Sequence, residues 1–289
     1  MPRTLCTERV LLALAVGCSA PEPTEDLSFP DSGTLTALSY NVHGLPDAVT
    51  NTDRPGVERM AEISPRLNDY AIVGLQEVFT DENRDTLLAE VTHETVALFN
   101  TPLDPGRAYG AGLGILSAAG RFTASEDLFY DECSGVFDGA SDCLASKGLQ
   151  QVTIDLGDAL LTVMNTHHEA GGGADDEAAR ATQVDQVVAA LAGLPEDHAV
   201  IYLGDFNMRE SDPGDLPALT AYADAGLRNL CVEVGCTQPE RIDRIYLRDS
   251  SQIALTGQSW RVDTSFVDAS GADLSDHDAI AGTIGWARK

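Results

Sequence analysis

Positively charged residues are scarce in this sequence. Its 289 residues include 18 Lys and Arg against 46 Asp and Glu, which gives a formal net charge of −28 at pH 7. Such a protein repels polyanions, whereas non-specific DNA affinity depends on cationic groups that release counterions. Duplex DNA is therefore a poor candidate for a partner. Two alternatives stay open: the acidic surface only maintains solubility, or a local basic groove lies within the negative total.

Long hydrophobic segments are also missing. The apolar run near the N-terminus, Val10–Val16, is too short to span a bilayer. It follows two arginines and leads into AVGC, ending at Cys18, which resembles a bacterial lipobox. We expect residues 1–18 to be an export signal with Cys18 as the lipidation site, residues 19–33 a flexible tether, and residues 34–289 one catalytic domain. Plain secretion after cleavage is the alternative, and either route leads out of the cytosol.

Cysteines are few, and two of the six fall in the expected export signal. The remaining four allow three disulfide pairings, and the short spacings favour Cys133 with Cys143 and Cys231 with Cys236. An oxidising compartment would keep both bonds intact. A zinc site is the competing interpretation, but no pair has the two-residue spacing typical of zinc ligands.

Strand-like and helix-like patterns alternate after the tether, without repeats or blocks of like charge. Apolar runs and period-two patterns predict strands at 35–42, 71–78, 112–117, 151–156, 160–165, 199–203, 241–247, 259–263 and 280–284. The strands at 151–156 and 160–165 are expected to pair as a hairpin. Helical patterns cover 56–67, with an interruption near Pro65, 82–90, and the apolar positions between Val184 and Leu194. Many strands with few helices predict an α/β sandwich, with two sheets face to face and helices outside.

Polar side chains lie where several of these strands end, and a rigid scaffold usually displays a functional site at such positions. Six strand ends carry an acid, amide or imidazole group: Asn41 in SYNVHG, Glu77 in LQEV, His167 in MNTHHEA, Asp205 and Asn207 in YLGDFN, Asp243 in RIDRIYL, and Asp276 with His277 in SDHDAI. Each group taken alone has a purely structural explanation, with GDFN as the exception.

Together and in this order, the six motifs resemble those of the endonuclease/exonuclease/phosphatase superfamily over about residues 34–285. The motifs of that family read approximately N, QE, TH, GDFN, DRI and DH. The resemblance implies a deoxyribonuclease-like fold, a four-layered α/β/β/α sandwich with two mainly antiparallel sheets. It also implies metal-dependent hydrolysis of phosphate esters at one end of the sheets.

Hydrolysis of a phosphodiester needs a nucleophilic water, neutralisation of charge on the phosphoryl oxygens, and help for the departing oxygen. Asn41 and Glu77 offer hard oxygens that suit Mg²⁺, with Mn²⁺ or Ca²⁺ as alternatives. Such an ion would act as a Lewis acid on the phosphate. The resemblance adds Asp276, which would support the metal site or His277. His277 itself is expected to be the general base, because its ordinary pKa lies near neutrality.

The remaining roles are implied by the resemblance. Asp243 would fix the tautomer of His277, and Asp205 would orient or activate the attacking water. Asn207 would donate a hydrogen bond to a non-bridging phosphate oxygen. His167 would stabilise the pentavalent phosphoryl group or protonate the leaving group.

Two details bear on the first histidine. In the nuclease members a glutamate orients it, and none is present between Phe99 and Ser125, which leaves the acid role of His167 less supported than the base role of His277. His168 follows directly and would point the other way on an extended strand, so we expect it to be non-catalytic.

The segment 133–152 bears on the substrate, because its DCLASKG is similar to a stretch in the exported sphingomyelinase-like members of the family. Lys147 and Gly148 match the KG of that stretch, and a lysine on a glycine-containing loop can meet a phosphate as a point charge. The alternative is that Lys147 merely begins a strand. Only three aromatic residues cluster near this loop, so no aromatic hairpin for insertion into a bilayer is evident.

Export, a disulfide-closed loop and an acidic surface favour a membrane phospholipid such as sphingomyelin as the substrate of a monomeric enzyme. An extracellular endonuclease acting on DNA or RNA is the alternative. A third hypothesis is a binding module that kept the fold and lost catalysis, and the complete set of motif residues argues against it.

Overall fold

The computed structural model describes residues 30–48, 50, 53–101, 107–135, 142–157 and 159–289. The expected export signal, its lipidation site Cys18 and most of the expected tether lie outside these residues. Within the described part of the chain, no helix combines the length and the apolar character that a membrane span requires.

Two six-stranded sheets form the centre of the described structure. The first sheet has the order β11-β12-β1-β2-β4-β3 and consists of β1 (Ser32–Asn41), β2 (Ile72–Gln76), β3 (Thr95–Phe99), β4 (Leu113–Ser117), β11 (Ile253–Val262) and β12 (Ile280–Arg288). The second has the order β5-β6-β7-β8-β10-β9 and consists of β5 (Phe122–Phe129), β6 (Gly148–Asp155), β7 (Leu160–His167), β8 (His198–Asp205), β9 (Arg228–Asn229) and β10 (Asp243–Arg248).

Each sheet is antiparallel except for one parallel pair, β1 with β2 and β7 with β8. The hairpin of β6 and β7 is confirmed, since these strands pair antiparallel along their whole length. In a parallel pair both strands end at the same edge of the sheet. Each parallel pair therefore brings the ends of two motif-bearing strands to the same edge of its sheet.

Four helices cover the outer faces of the sheets: α1 (Gly56–Ile63), α2 (Asp81–Leu87), α3 (Ala174–Gly193) and α4 (Leu216–Asp224). The short helix α5 (Leu230–Glu233) instead packs Leu230 into the layer between the sheets, and two short 3₁₀ segments span Ser64–Asp69 and Asp142–Leu144. The interruption expected near Pro65 is real, because α1 changes into 3₁₀ geometry at Ser64. Helix α2 begins at a capping residue, Thr80, whose hydroxyl oxygen accepts a hydrogen bond from the Asn83 amide at 3.2 Å.

Three apolar layers hold this arrangement together. The inner layer lies between the sheets and includes Ala37 and Ile284 from the first sheet and Val163 and Ile201 from the second. A second layer packs α1 and α2 against the first sheet. A third packs the apolar stripe of α3 against the second sheet, as the helical spacing predicts. The predicted four-layered α/β/β/α sandwich with mainly antiparallel sheets is thus confirmed.

Both favoured disulfides are present in the structure. Cys133 bonds to Cys143 and Cys231 to Cys236, with Cα atoms 5.4 and 5.0 Å apart. The first bond lies just before Lys147, and the guanidinium of Arg107 donates a hydrogen bond of 2.7 Å to the carbonyl oxygen of Cys143. The disulfide loop is therefore attached to the segment that leads into β6.

Candidate active site

The motif residues meet at one end of the two sheets because of the strand registers. In the first sheet Asn41 pairs with Gln76, so Glu77 follows directly beside Asn41. In the second sheet Asp205 pairs with His167 on one side and with Asp243 on the other. Residues far apart in the sequence thus become neighbours, because each lies at the end of a strand or directly after it.

The backbone turns sharply at this end of the sheets. Among the described non-glycine residues only His43, Glu77 and Asn207 have positive φ angles, of 50°, 62° and 51°. Each follows a strand end by one or two residues, and such strained conformations cluster at functional sites. Gly44 permits the close approach of two of these turns, since a Cβ at this position would lie 2.3 Å from the carbonyl oxygen of Glu77.

Asp205 is the centre of the site. Its Oδ2 lies 3.1 Å from Nδ2 of Asn41, 3.5 Å from Nε2 of His167 and 3.7 Å from Nε2 of His277. Its Oδ1 accepts a hydrogen bond of 3.1 Å from the backbone amide of Asn207. This buried carboxylate therefore holds together groups that both sheets contribute.

His277 and Asp243 form a hydrogen-bonded pair, with 2.9 Å between Nδ1 of the ring and Oδ2 of the carboxylate. Burial disfavours the charged ring, but the hydrogen bond with Asp243 and the negative charges of Asp243 and Asp205 outweigh burial and raise the pKa of His277 to about 10. The pair leaves Nε2 of the ring directed toward Asp205. A general base must be neutral to accept a proton. Because the surrounding carboxylates favour the charged ring, His277 needs an additional positive charge nearby to be neutral at ordinary pH.

His167 is buried, which disfavours its charged form. Burial and the positive charges of Lys147 and His277 lower its pKa well below the usual value. Its Nδ1 atom has no hydrogen-bond partner among the described residues, which agrees with the glutamate that the sequence lacks. Of the two roles expected for His167, a neutral ring supports donation of a hydrogen bond to the phosphoryl group better than protonation of the leaving group.

Lys147 and Asn207 meet beside His167. The Lys147 ammonium and the side-chain amide of Asn207 both donate hydrogen bonds to the carbonyl oxygen of His168, at 3.1 and 3.0 Å. Lys147 is buried and directly precedes β6, so it stands at a strand start and also at the site. Its charge acts on Glu77 as well as on His167.

His168 lies outside the site, on the helix-covered face of the second sheet. Its ring stacks on Tyr130 at 5.2 Å between centroids, and its nitrogens pair with Gln183 at 3.1 Å and Tyr222 at 2.7 Å. Burial lowers the pKa of His168 to about 3. The structure thus places it in the core, away from the groups around Asp205.

The residues expected to hold a metal ion are only partly arranged for it. Glu77 has a buried Oε2 without a hydrogen-bond partner among the described residues, and burial raises the pKa of its carboxyl group, so a bound cation would stabilise the charged form. Asn41 directs its amide nitrogen at Glu77, 2.9 Å away, while its oxygen accepts a hydrogen bond from the His43 amide. Glu77 fits a divalent cation, and Asn41 would have to turn its amide over to add an oxygen.

A second group of possible ligands consists of Asp205, Asp243 and His277, which offer one ligand atom each within 4.8 Å of one another. Within this group Asp243 already binds the ring nitrogen of His277.

One titratable residue of the candidate site was missed at the level of sequence. Nδ1 of His43 lies 3.0 Å from Oδ1 of Asp276 and 3.8 Å from Oε2 of Glu77. A titratable side chain two residues after a strand end in SYNVHG was the available signal. Asp276, expected near the metal, is therefore paired with His43 in this structure.

A polar cleft of about 520 Å³ adjoins His277 and Asp243. Its lining includes four carboxylates, those of Glu240, Asp243, Asp276 and Asp278, and two guanidinium groups, those of Arg209 and Arg241. Arg241 is paired with Asp278. The entrance to the site therefore keeps an excess of negative charge.

Comparison with known proteins identifies the family to which this fold and this candidate site belong. The model of the Endonuclease/Exonuclease/phosphatase family matches residues 38–277, and the chain belongs to this family. The match begins in β1 and ends at His277, so it includes every motif described above.

Among curated proteins, a sphingomyelinase of Mycobacterium tuberculosis is 30% identical over 274 residues, which cover 88% of this chain and 52% of that protein. The chain thus spans about half the length of the curated relatives it matches.

Solved structures show the same fold at lower identity. A humanised TDP2 from D. rerio has a TM-score of 0.65 at 22% identity, covering 87% of this chain and 98% of its own. A mutant beta toxin from Staphylococcus aureus with bound magnesium ions has a TM-score of 0.65 at 18% identity, covering 86% and 99%.

Proposed function

We propose that this protein is an exported, divalent-cation-dependent phosphodiesterase that hydrolyses a membrane phospholipid such as sphingomyelin. The observation that carries the proposal is the arrangement around Asp205, where one carboxylate oxygen lies within 4 Å of the Nε2 atoms of both His167 and His277. A water or phosphoryl oxygen in this space would be within reach of both rings. The 30% identity with a sphingomyelinase supports the lipid substrate.

The attacking water would be activated by His277 and Asp205. Asp243 accepts the hydrogen of Nδ1, which fixes the tautomer whose Nε2 can take a proton from water. Asp205 is held by Asn41 and by the backbone of Asn207, so it can orient the water without moving.

The phosphoryl oxygens would be bound on the opposite side by neutral and cationic donors. His167 would offer a ring N–H, Asn207 a side-chain amide and Lys147 an ammonium group. Lys147 and Asn207 are both anchored on the carbonyl oxygen of His168, so these donors are positioned before substrate arrives.

When bound at Glu77 and Asp276, a divalent cation would polarise the phosphoryl group and stabilise the departing oxygen. The unpartnered Oε2 of Glu77 supports its role as a ligand. The magnesium ions in the related beta toxin support the presence of a cation, and the same chemistry admits Mn²⁺ or Ca²⁺.

The cleft beside His277 supports a cationic headgroup over a nucleic acid. Four carboxylates against two guanidinium groups and the imidazole of His277 line it, so a small negative excess remains that would attract a choline ammonium and repel a second phosphate. Endonuclease activity is the second candidate, because the motif chemistry suits any phosphodiester and a D. rerio TDP2 with the same fold was solved with a single strand DNA product.

A substrate panel tests the proposal. The purified protein is freed of metal with chelator, supplied with Mg²⁺ or Mn²⁺, and incubated with sphingomyelin liposomes, phosphatidylcholine liposomes or supercoiled plasmid. We expect release of phosphocholine that stops in excess chelator. Glu77→Gln should need far more cation, because a neutral amide is a poorer ligand for a hard cation.

Asp205→Asn is the control, since it keeps the shape of the side chain and should be inactive on every substrate. Nicked plasmid without phosphocholine would replace the proposal with the endonuclease. Full activity in excess chelator would refute the dependence on a cation.

A further inference from the structure

Two buried amides join the two sheets next to the candidate site. Asn165 and Gln76 are both fully buried, and Oδ1 of Asn165 accepts a hydrogen bond of 2.7 Å from Nε2 of Gln76. Nδ2 of Asn165 donates two further bonds across the same gap, to the carbonyl oxygens of Leu75 at 2.9 Å and Gly114 at 3.1 Å. One side chain of the second sheet is thus attached to two neighbouring strands, β2 and β4, of the first.

The places of these amides in their strands connect them to the site. Gln76 is the last residue of β2, and Glu77 follows it directly. Asn165 lies two residues before His167 in β7, so both side chains point to the same face of the second sheet. The sheet link, by which we mean the hydrogen-bonded pair of Asn165 and Gln76, therefore joins the strand end that carries Glu77 to the strand end that carries His167.

The sheets pack closely around the sheet link. A Cβ at Gly74 would lie 1.7 Å from Cδ1 of Leu203 and 3.1 Å from Oδ1 of Asn165, so only glycine fits at this position. Leu203 belongs to β8 and lies two residues before Asp205. In such a close-packed layer the link cannot lengthen unless one of the strands moves.

Stability alone gives little reason for amides at these two positions. The layer between the sheets is mainly apolar, and replacing two buried hydrogen-bonded partners by apolar groups of the same shape can be nearly neutral in stability. A hydrogen bond differs from an apolar contact because it fixes a distance and a direction. A site assembled from two separate sheets needs this property.

The site itself contains a contact that depends on the spacing of the sheets. Nδ2 of Asn41, at the end of β1, donates a hydrogen bond of 3.1 Å to Oδ2 of Asp205, at the end of β8. The same nitrogen lies 2.9 Å from Glu77 within the first sheet. A shift of one sheet against the other would lengthen the first distance and leave the second unchanged.

We propose that Asn165 and Gln76 are positioning residues, whose hydrogen bonds fix the place of Glu77 relative to His167 and Asp205. They touch no substrate and act through the strand ends that follow them. The inference rests on the proposed function in taking these strand ends as the site of phosphodiester hydrolysis. Because a misplacement of about 1 Å can cost about 10² in rate, a link of this kind would matter for turnover.

Steady-state kinetics of Asn165→Leu and Gln76→Leu test the proposal. The substrate is sphingomyelin in detergent micelles with Mg²⁺, or plasmid if the substrate panel identifies a nuclease. In each variant we expect kcat to fall about tenfold or more while KM changes little, because correct placement is needed most in the transition state. The double variant should be no worse than the weaker single variant, since both changes remove one link.

Gln150→Leu is the matched control. Gln150 is the cross-strand neighbour of Asn165 in β6 and is fully buried, and its amide has no hydrogen-bond partner among the described residues. The same substitution in the same layer should therefore leave kcat unchanged. Equal losses of kcat in Gln150→Leu and Gln76→Leu would identify a general effect of the layer and overturn the proposal.

An unchanged kcat in folded Asn165→Leu would also overturn it. If Asn165→Leu does not fold, Gln76→Leu answers the same question, because it keeps the two bonds from Asn165 to the backbone of the first sheet.

Crystal structures of Gln76→Leu and Gln150→Leu give a readout without turnover. In Gln76→Leu the separation of Asn41 and Asp205 should exceed hydrogen-bonding distance, while the contact of Asn41 with Glu77 stays as it is. Gln150→Leu should keep both contacts. An unchanged separation in Gln76→Leu overturns the proposal, whereas inactivity of the wild-type protein on every substrate refutes the proposed function and leaves this comparison valid.

Discussion

At the scale of single residues, the candidate site crowds several carboxylates together in a buried space. Asp205, Asp243 and Glu77 are largely buried together, and the nearby positive groups are Lys147 and the ring of His277. Burial and the charge of Asp205 raise the pKa of Asp243, and the carboxylates in turn raise the pKa of His277. A bound cation would relieve this crowding and favour the neutral form of His277.

Our first prediction concerns His277 and Asp243 as one unit. His277→Ala should lower kcat by about 10²–10⁴, the usual contribution of a general base. Asp243→Asn should lose a large part of the same factor, because the ring can then adopt the wrong tautomer. The double variant should be no worse than His277→Ala, since both changes disable one device. Steady-state kinetics of the three variants measure this, and multiplicative losses would show that the two residues act independently.

The pH dependence follows from the same pair. The pKa of His277 is raised above 6.5, so the ring loses its proton only as the pH rises through the raised value. The rate should therefore increase with pH over that range in the wild-type protein, and His277→Ala should lack the increase. An identical pH profile in both proteins would remove the base role.

At the scale of elements, the end of strand β7 places two adjacent histidines, His167 and His168, in different environments. Successive side chains of a strand point to opposite faces, so His167 reaches the site while His168 enters the layer under α3 and α4. There His168 joins Tyr130, Gln183 and Tyr222 in a buried network. Two adjacent histidines thus have different environments for a geometric reason.

Our second prediction is that His168 makes the fold sensitive to acid. Its pKa is about 3 in the folded protein and near 6.5 in the unfolded chain, so between these values only the unfolded state takes up the proton. The contribution of His168 to stability is complete above pH 6.5 and decreases by about 1.4 kcal/mol per pH unit below it.

Denaturant titrations of the wild-type protein and His168→Gln provide the measurement. The stability advantage of the wild-type protein should shrink by about 2 kcal/mol between pH 6.5 and pH 5. Between pH 8 and pH 7 the advantage should stay constant, which is the control. A constant advantage down to pH 5 would contradict the burial of an uncharged ring.

The net charge of −28 acts at the scale of the whole molecule. An acidic protein is repelled by an anionic surface, and salt screens the repulsion within a Debye length of about 10 Å at 0.1 M ionic strength. The acidic lining of the cleft adds to this effect near the site.

Our third prediction is that anionic lipid inhibits the reaction on membranes. Mixing phosphatidylserine into sphingomyelin liposomes should reduce phosphocholine release at low ionic strength, and added salt should restore it. Neutral phosphatidylcholine mixed in at the same fraction corrects for dilution of the substrate. Stimulation by the anionic lipid at low salt would instead reveal a basic docking surface.

The sequence predicted most of the fold, because alternation and helical spacing report which face of an element is buried. It missed β5, an edge strand whose FTASEDLF has no regular alternation and is largely exposed. It also missed β3, a half-buried edge strand that pairs only with β4, and α4, which packs on the second sheet beside α3. Short elements of this kind are stabilised by their neighbours more than by their own pattern.

The sequence alone predicted the motif residues of the candidate site, the two favoured disulfides and the layered architecture, because these are recorded in local motifs, spacings and periodicities. Only the tertiary structure decided how the motif groups face one another. It placed His43 close to both Glu77 and Asp276, turned the amide nitrogen of Asn41 toward two carboxylates, and left Nδ1 of His167 without a partner among the described residues. These features arise where the ends of different strands meet, as for Asn41 with Glu77 and Asp205, which are 36 and 164 residues away, and no local pattern encodes the distance or orientation across such gaps.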